Sequence, residues 1–457
     1  MITKQTKKCF LDTIGYLLIT IFTVFIASLN NKLGYVAIII LLLFMLSITI
    51  KKISKKRDIT SLILYPLFLT TFQNVYLGFF AYSLSSTIIS LLVILNFLYA
   101  CILLLVLMIY NINLLVYNKF INRLVIIFLL LVLYSFMITI VFSSSTILSI
   151  ISSFRNIITM FIFALVGILV YKNYDMSNLF SCILILGVIV IIIGFYERST
   201  SGLFWRRLNI TELWMKKGIR VQPSGLPTAF YSSETINGKR ILRMCSTFAD
   251  PVNLGSFLVV VFAIAKRKQK HFICILALIA IIFTVSKGGL LGVLIILCVE
   301  SYYKKNKIIF YSAILLSLVV GISFLIYAQK YNAASVFLHI SGFTSAFSTL
   351  KTNFLGYGLG SVGVLARQYG NVQNLEITES GLGMIIGQLG FMGLLVFLIY
   401  IFLLIRKTDK TENVASRSLA MGLLLYVVIN IIFNEVALSP NSCGIIFAII
   451  GINIRCN

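Results

Sequence analysis

Residues 179–196 read LFSCILILGVIVIIIGFY, eighteen positions without a single charge. That length and character is what one helix needs to cross the ~30 Å hydrocarbon core of a bilayer. Similar apolar runs, each about 18 to 25 residues long, recur along the whole chain, so the reading does not depend on this window. The 457 residues are 60% hydrophobic and 11% charged, with a mean hydropathy of +1.04. A soluble domain needs a polar surface and carries about 25% charged residues, whereas helices facing lipid need none. The expected fold is therefore all-α, a polytopic integral membrane protein with a single membrane domain over 1–457 and about 12–14 transmembrane helices.

Fourteen candidate spans can be marked, the first beginning near Phe10 and the last near Ser442. The weakest are the span near Ile157, which has Arg155 at its mouth, and the two that meet at Ser286-Lys287-Gly288-Gly289. Lys4, Lys7 and Lys8 precede the first run like the start of a signal peptide, but no small-residue cleavage site follows, so a retained first helix is expected.

The net charge of +25 invites a nucleic-acid reading, which the distribution of the charge excludes. The basic residues sit in short clusters between apolar runs. With the N-terminus inside, the cytoplasmic segments hold 23 of the 38 Lys and Arg, and the short outer loops hold only Lys32, Arg155 and Lys287. Short loops are where the positive-inside rule acts, so both termini are expected in the cytoplasm. The remaining basic residues lie in two long outer segments, nine in 197–250 and three in 329–380.

Both segments are expected to carry surface helices. In 203–217, LFWRRLNITELWMKK, Trp205 and Trp214 stand beside Arg206, Arg207, Lys216 and Lys217, a mixture that favours the headgroup layer. Val336, Ile340, Phe343, Phe347 and Leu350 are spaced 4, 3, 4, 3 and form one apolar stripe on a helix. Nine basic and four acidic residues leave 197–250 at +5, on the side where positive charge is normally depleted. An anionic partner fits, either phosphate or pyrophosphate bound by Arg or anionic lipid headgroups.

Within this segment Arg240 and Arg243 lead into CSTFADPVNLGSF, where Asp250-Pro251 has the form of a helix start. Lys287 is a lone cation where two apolar spans meet, a functional candidate or a snorkelling lysine. Gly356-Tyr357-Gly358-Leu359-Gly360 lacks the strand-turn-helix context of a nucleotide site. The two histidines, His271 and His339, are too far apart in context to suggest a metal site. Eight cysteines without a C-x-x-C pair read as apolar thiols. Gln73, Asn74, Asn96 and Asn430 lie within spans and are expected to hydrogen-bond between helices.

The order of these features resembles the O-antigen polymerase and ligase superfamily. Arg243-MCSTFADPVNLGSF is similar to its Arg, small residue, Phe and "P-N" segment, and Thr284-VSKGGLLG to its "S-R-G/A" segment. Gly356-YGLGS resembles its glycine-rich signature in the second long outer loop. Glu379-Ser380 followed by Gln388-LGFMG resembles the segment that re-enters the membrane. The resemblance covers roughly 240–400. Two positions depart from it: Lys287 stands where the family usually has Arg, and Glu379-Ser380 occupies the place of the ligases' His-Asn pair. The second departure favours a polymerase over a ligase.

The resemblance implies a membrane glycosyltransferase that polymerises oligosaccharide repeats carried on undecaprenyl pyrophosphate into a surface polysaccharide such as capsule or O-antigen. The chemistry would take place on the outer face of a bacterial plasma membrane. On this reading Arg243 and Lys287 are the expected pyrophosphate-binding residues, with Arg240 and Arg220 as weaker candidates, and Arg243 and Glu379 are the expected catalytic ones. Neither metal nor cofactor is required if cations stabilise the leaving pyrophosphate and a carboxylate orients or deprotonates the acceptor hydroxyl. Glu379 has a plainer alternative as a helix cap, worth about 0.3–1 kcal/mol. Expected partners are lipid-linked glycans and membrane lipid, with a flippase and a chain-length regulator as possible protein partners and no nucleic acid. The alternative functions are an O-antigen-type ligase and a lipid-linked oligosaccharide flippase, although transporters usually place their functional charges near the bilayer midplane.

Overall fold

The computed structural model describes the chain except for residues 1–2, 56, 171–173, 175, 220, 223–224, 237–238, 331–333, 369–378 and 455–457. Eight helices come first: α1 (Lys4–Leu29), α2 (Asn31–Ser54), α3 (Thr60–Phe79), α4 (Ser86–Tyr110), the short α5 (Ile112–Tyr117), α6 (Lys119–Phe142), α7 (Ile147–Ile168) and α8 (Met176–Ser199). The first long segment contains α9 (Leu203–Arg207), α10 (Ile210–Lys216) and an antiparallel hairpin of β1 (Tyr231–Ile236) and β2 (Lys239–Leu242). Four more helices follow: α11 (Pro251–Arg267), α12 (His271–Thr284), α13 (Lys287–Tyr303) and α14 (Lys307–Lys330). The second long segment carries α15 (Ala334–Thr352) and α16 (Val364–Gln368). The chain closes with α17 (Gly381–Asp409), α18 (Val414–Phe433), a 3₁₀ turn at Glu435–Leu438, a π turn at Pro440–Gly444 and α19 (Ile445–Ile454).

The architecture is all-α and polytopic. Each of the fourteen candidate spans falls on a helix. Among the described residues, nine helices are long and apolar enough to cross a membrane: α1, α2, α3, α4, α6, α7, α8, α17 and α18. α11 and α13 have 17 residues and α12 has 14, about 25 and 21 Å at 1.5 Å per residue. α11 need not match the bilayer, because it is buried along nearly its whole length against α8, α12, α13 and α18. By contrast α2 and α6 show most of their surface outward, as lipid-facing helices do.

Small residues let the interior helices approach closely. Gly167 of α7 and Gly451 of α19 pack against each other's backbone, leaving no room for a Cβ on either. Gln73 donates to Leu92 O (3.1 Å), and Asn96 donates to Asn441 Oδ1 (3.1 Å), both between elements as expected. Asn430 instead bonds within its own helix, to the Tyr426 hydroxyl, which reaches Ser256 of α11 at 3.0 Å.

The first long segment departs from the expected surface helix. Asn209 adopts a left-handed conformation (φ 53°) and splits 203–217 into α9 and α10. Trp205 is 0% exposed and Trp214 7%. Trp205 packs edge-on against Phe204 and Phe230, so the tryptophans belong to the protein interior and not to a headgroup layer. Lys216 is likewise engaged, donating to the carbonyls of Ala81, Tyr82 and Leu84 in the α3–α4 turn. In the second segment α15 packs on α17, with Phe343 and Phe347 in edge contact and Leu350 partly buried. The side chains of Val336, His339 and Ile340 lie outside the described residues. The two long segments meet where Gln368 Nε2 donates to Lys217 O, so both sit at one end of the bundle.

Candidate functional site

Arg243 follows the hairpin, and its backbone is fixed first. Its N–H donates to Phe230 O (2.8 Å), and the N–H of Met244 donates to Phe283 O (2.9 Å). The next two amides, Cys245 and Ser246, donate to Oε2 of Glu197 at 2.9 and 2.7 Å. Glu197 is 1% exposed at the end of α8, and among the described residues its Oε1 has no hydrogen-bond partner. One buried carboxylate oxygen therefore clamps the segment after Arg243 by taking two successive amides.

The Arg243 side chain then reaches the break between α12 and α13. Nε donates to Thr284 O (2.9 Å) and Nη2 to Val285 O (3.4 Å). The break exists because Val285 is left-handed (φ 50°) and Ser286 caps α13 by accepting from Gly289 N. Lys287, exposed, is the first residue of α13. Thus Arg243 bonds to the carbonyls immediately preceding the turn that presents Lys287. Asp250 caps α11 as expected, accepting from Val252 N and Asn253 N at 2.9 and 2.7 Å. Burial raises the Asp250 carboxyl above the ordinary carboxylate range, although those bonds and the Arg243 charge pull it down.

Glu379 is held at the same end of α18. Gly288, next to Lys287, lies against Asn430 of α18, where an added Cβ would stand 2.6 Å from Oδ1. Gly381 lies against Ile431 O and Asn434 O of the same helix end. Glu435 N–H donates to Glu379 O (3.1 Å). Lys287 and Glu379 therefore flank the last turn of α18, about one helical turn apart along it.

Glu379 is half-buried with φ 69°, an unusual conformation for a non-glycine residue. It is not the cap of α17. Ser380 is, accepting from Gly383 N (2.9 Å) while donating to Ile432 O (2.6 Å). The capping alternative for Glu379 is thereby corrected: a short hydroxyl at the next position fits the cap geometry that a longer carboxylate would have supplied.

The glycine-rich stretch packs into the same end. Gly356, Gly358 and Gly360 all have positive φ. α17 is kinked at Gly390 (φ 59°, ψ −154°). The backbone groups opened by the kink are taken up by 354–358: Tyr357 N donates to Gly387 O, Gly358 N to Gln388 O, and Phe391 N to Phe354 O, all within 2.9–3.0 Å. Satisfying such groups internally is a requirement in lipid surroundings.

Of the residues singled out in the sequence, Arg243, Lys287 and Glu379 gather around the ends of α13 and α18. Arg240 is exposed on β2, one side of the hairpin away. Arg220 lies outside the described residues. Two carboxylates escaped the sequence reading. Glu197 was visible only as one acid in a basic segment. Glu435, 3% exposed, accepts from Val364 N at 2.6 Å and so ties the second long segment to α18; an acid between two apolar spans is the signal that could have found it. Cations near a reacting phosphate and a half-buried carboxylate beside them can stabilise a departing anion and orient a hydroxyl. No protein-family model matches this chain, and no curated protein is significantly similar to it.

Proposed function

We propose that the chain is a polysaccharide polymerase of the lipid-pyrophosphate-dependent type, resident in a bacterial plasma membrane with its two long segments outside. In this reading Arg243 and Lys287 hold the pyrophosphate of an undecaprenyl-linked glycan. Glu379 faces the hydroxyl of the incoming repeat. The bond formed is glycosidic; the bond broken is the anomeric C–O to pyrophosphate, which leaves with the electron pair, and the hydroxyl proton passes to the carboxylate.

The observation that carries this reading is the contact of Arg243 with Thr284 and Val285. Two segments 41 residues apart, each part of the resemblance, meet through that guanidinium. The packing of Gly358 on Gln388 joins the other two segments in the same manner. The guanidinium caps the last carbonyls of α12 and in doing so brings a cation to the turn that presents Lys287.

The test is polymer length in cells and membranes carrying variants. Arg243→Ala is expected to lower polymer by about 10²–10³-fold, the usual consequence of removing one preorganised donor to a developing charge, with protein level unchanged. Lys287→Arg is expected to retain activity, since a guanidinium supplies the same charge with a phosphate-matched fork. Full-length polymer from Arg243→Ala would refute the reading.

A further inference from the structure

Asn430 lies in the last turn of α18, which ends at Phe433, and is 7% exposed. Other amides within the spans use both of their ends. Asn74 accepts from Lys217 and donates to Phe248, and Asn96 accepts from Phe97 N and donates to Asn441. Asn430 uses one end. Its Nδ2 donates to the Tyr426 hydroxyl at 3.4 Å, and its Oδ1 accepts no hydrogen bond among the described residues. That oxygen is not sealed away, as the partnerless Glu197 Oε1 and Gln388 Oε1 are.

The orientation of the amide follows from a chain of hydroxyls. Ser256 Oγ accepts from Ser442 Oγ at 2.8 Å and from Tyr426 OH at 3.0 Å. The Tyr426 proton is thereby committed. Its oxygen is left to accept, and only the NH2 end of Asn430 donates to it. The Tyr426 ring is wedged against Gly292 of α13, where a Cβ would stand 2.7 Å from it. The carbonyl end of Asn430 then turns toward Gly288: a Cβ built there would stand 2.6 Å from Oδ1 and 3.7 Å from Nδ2. A larger residue at 288 would cover the oxygen, whereas glycine leaves it open beside the turn that presents Lys287.

An amide oxygen is the wrong group for a phosphate, which presents acceptors of its own. It calls for an O–H or N–H donor, and leaving such an acceptor unpaired in a buried place is unfavourable. A molecule that brings phosphate to Lys287 and a donor to Asn430 is a sugar ester of phosphate. In a sugar pyrophosphate the ring substituent nearest the phosphate sits on the carbon next to the anomeric one. Whether hydroxyl or acylamino N–H, that group is a donor. Glu379 stands about one helical turn further along α18, on the side from which an attacking hydroxyl would enter. We propose that Asn430 recognises the sugar joined to pyrophosphate, its Oδ1 accepting a hydrogen bond from the hydroxyl or N–H beside the anomeric carbon. In this role Asn430 presupposes the polymerase reading, to which it adds recognition of the donor sugar.

The experiment uses the full chain in phosphatidylcholine nanodiscs with two probes. One is undecaprenyl pyrophosphate without sugar. The other is the lipid-linked repeat unit extracted from cells in which the gene is deleted. The quantity measured is the preference for the repeat unit, the dissociation constant of the bare pyrophosphate divided by that of the repeat unit. Asn430→Leu should shrink this preference about tenfold, the loss of one hydrogen bond to a donor then left unpaired. Affinity for the bare pyrophosphate should stay at the wild-type value, which also shows that the variant folds. Arg243→Ala should weaken both probes together. Tyr426→Phe keeps the ring against Gly292 and removes only the hydroxyl that fixes the amide, so it should lower the preference in the same direction. An unchanged preference in Asn430→Leu overturns the proposal; if that variant binds neither probe, an unchanged preference in Tyr426→Phe overturns it. Either result beside weakened binding in Arg243→Ala removes Asn430 alone, whereas a wild-type chain that binds neither probe removes the polymerase reading as well.

Discussion

Removing the Glu197 carboxylate should release the segment that positions Arg243, and the size of the effect can be worked out from its two bonds. Oε2 alone receives the amides of Cys245 and Ser246. Glu197→Ala leaves both N–H groups buried without a partner, at about 1–3 kcal/mol each, or about 2–6 kcal/mol together. Glu197→Gln keeps an oxygen for both and loses at most the charge assistance, up to about 1 kcal/mol per bond, with relief from burying a charge acting in the opposite direction. Cys245 reports the release, because its thiol is fully buried in the clamped state. In a chain whose other cysteines are replaced, maleimide can react only when the segment opens locally. Burial raises the Cys245 thiol most and the Glu197 charge raises it further, so either substitution makes the thiol more reactive. That contribution is common to both variants and cancels in their ratio. The Ala variant should therefore react about thirtyfold faster than the Gln variant, the equivalent of the ~2 kcal/mol by which their costs differ at the middle of the range. Polymer should fall in Glu197→Ala and be largely kept in Glu197→Gln. Equal rates in the two variants would refute the clamp, whatever the effect on polymer.

Two further predictions concern orientation and the carboxylate. Arg240→Cys in a cysteine-free chain should react with an impermeant maleimide on intact cells, since Arg240 is exposed on the hairpin of the first long segment; labelling only after permeabilisation would place the proposed site on the wrong side. Glu379→Gln should cut chain extension by about 10²–10⁴-fold, the usual loss with a general base, while single lipid-linked repeats accumulate. Wild-type chain lengths from that variant would remove Glu379 from the reacting groups.

The membrane fold was legible because long uncharged runs such as 179–196 have few other uses. All fourteen candidates lie on helices for that reason. What the runs did not carry was their length in the fold. α12 stops at Thr284 because Val285 turns left-handed, and nothing in an apolar sequence announces this. The first long segment was misread where local and tertiary preferences compete. Trp205 and Trp214 beside basic residues have the composition of an interfacial helix, yet contacts with Phe204 and Phe230 draw Trp205 inward. The hairpin, however, had a signal: β1 and β2 flank Asn237-Gly238, a dipeptide that favours tight two-residue turns. At the site, Arg243 could be picked out from its motif, Lys287 as a lone cation and Glu435 as an acid between two apolar spans, but Glu197 could not, since it acquires its role by reaching an amide 48 residues away.

The glycine-rich stretch shows how far a sequence signature can stand from the chemistry it accompanies. Gly356 has no room for a side chain, because a Cβ there would meet Gly390 N at 2.5 Å and Gln388 O at 2.6 Å. Gly358 is equally tight against Ser143, and Gly360 against Ile150 N, at 2.8 Å each. Their positive φ values exclude most other residues as well. These glycines therefore serve close backbone packing: they fit between α6, α7 and the kink of α17. Gln388 completes the joint, donating to Val362 O (2.6 Å) and Ser153 Oγ (3.2 Å). The kink in turn sets the direction of the first half of α17, whose start holds Glu379 against the end of α18. A substitution at Gly356 would thus act on Glu379 through backbone geometry without touching a substrate. On this argument the glycines join the stretch to the kink of α17, and the signature itself is architecture.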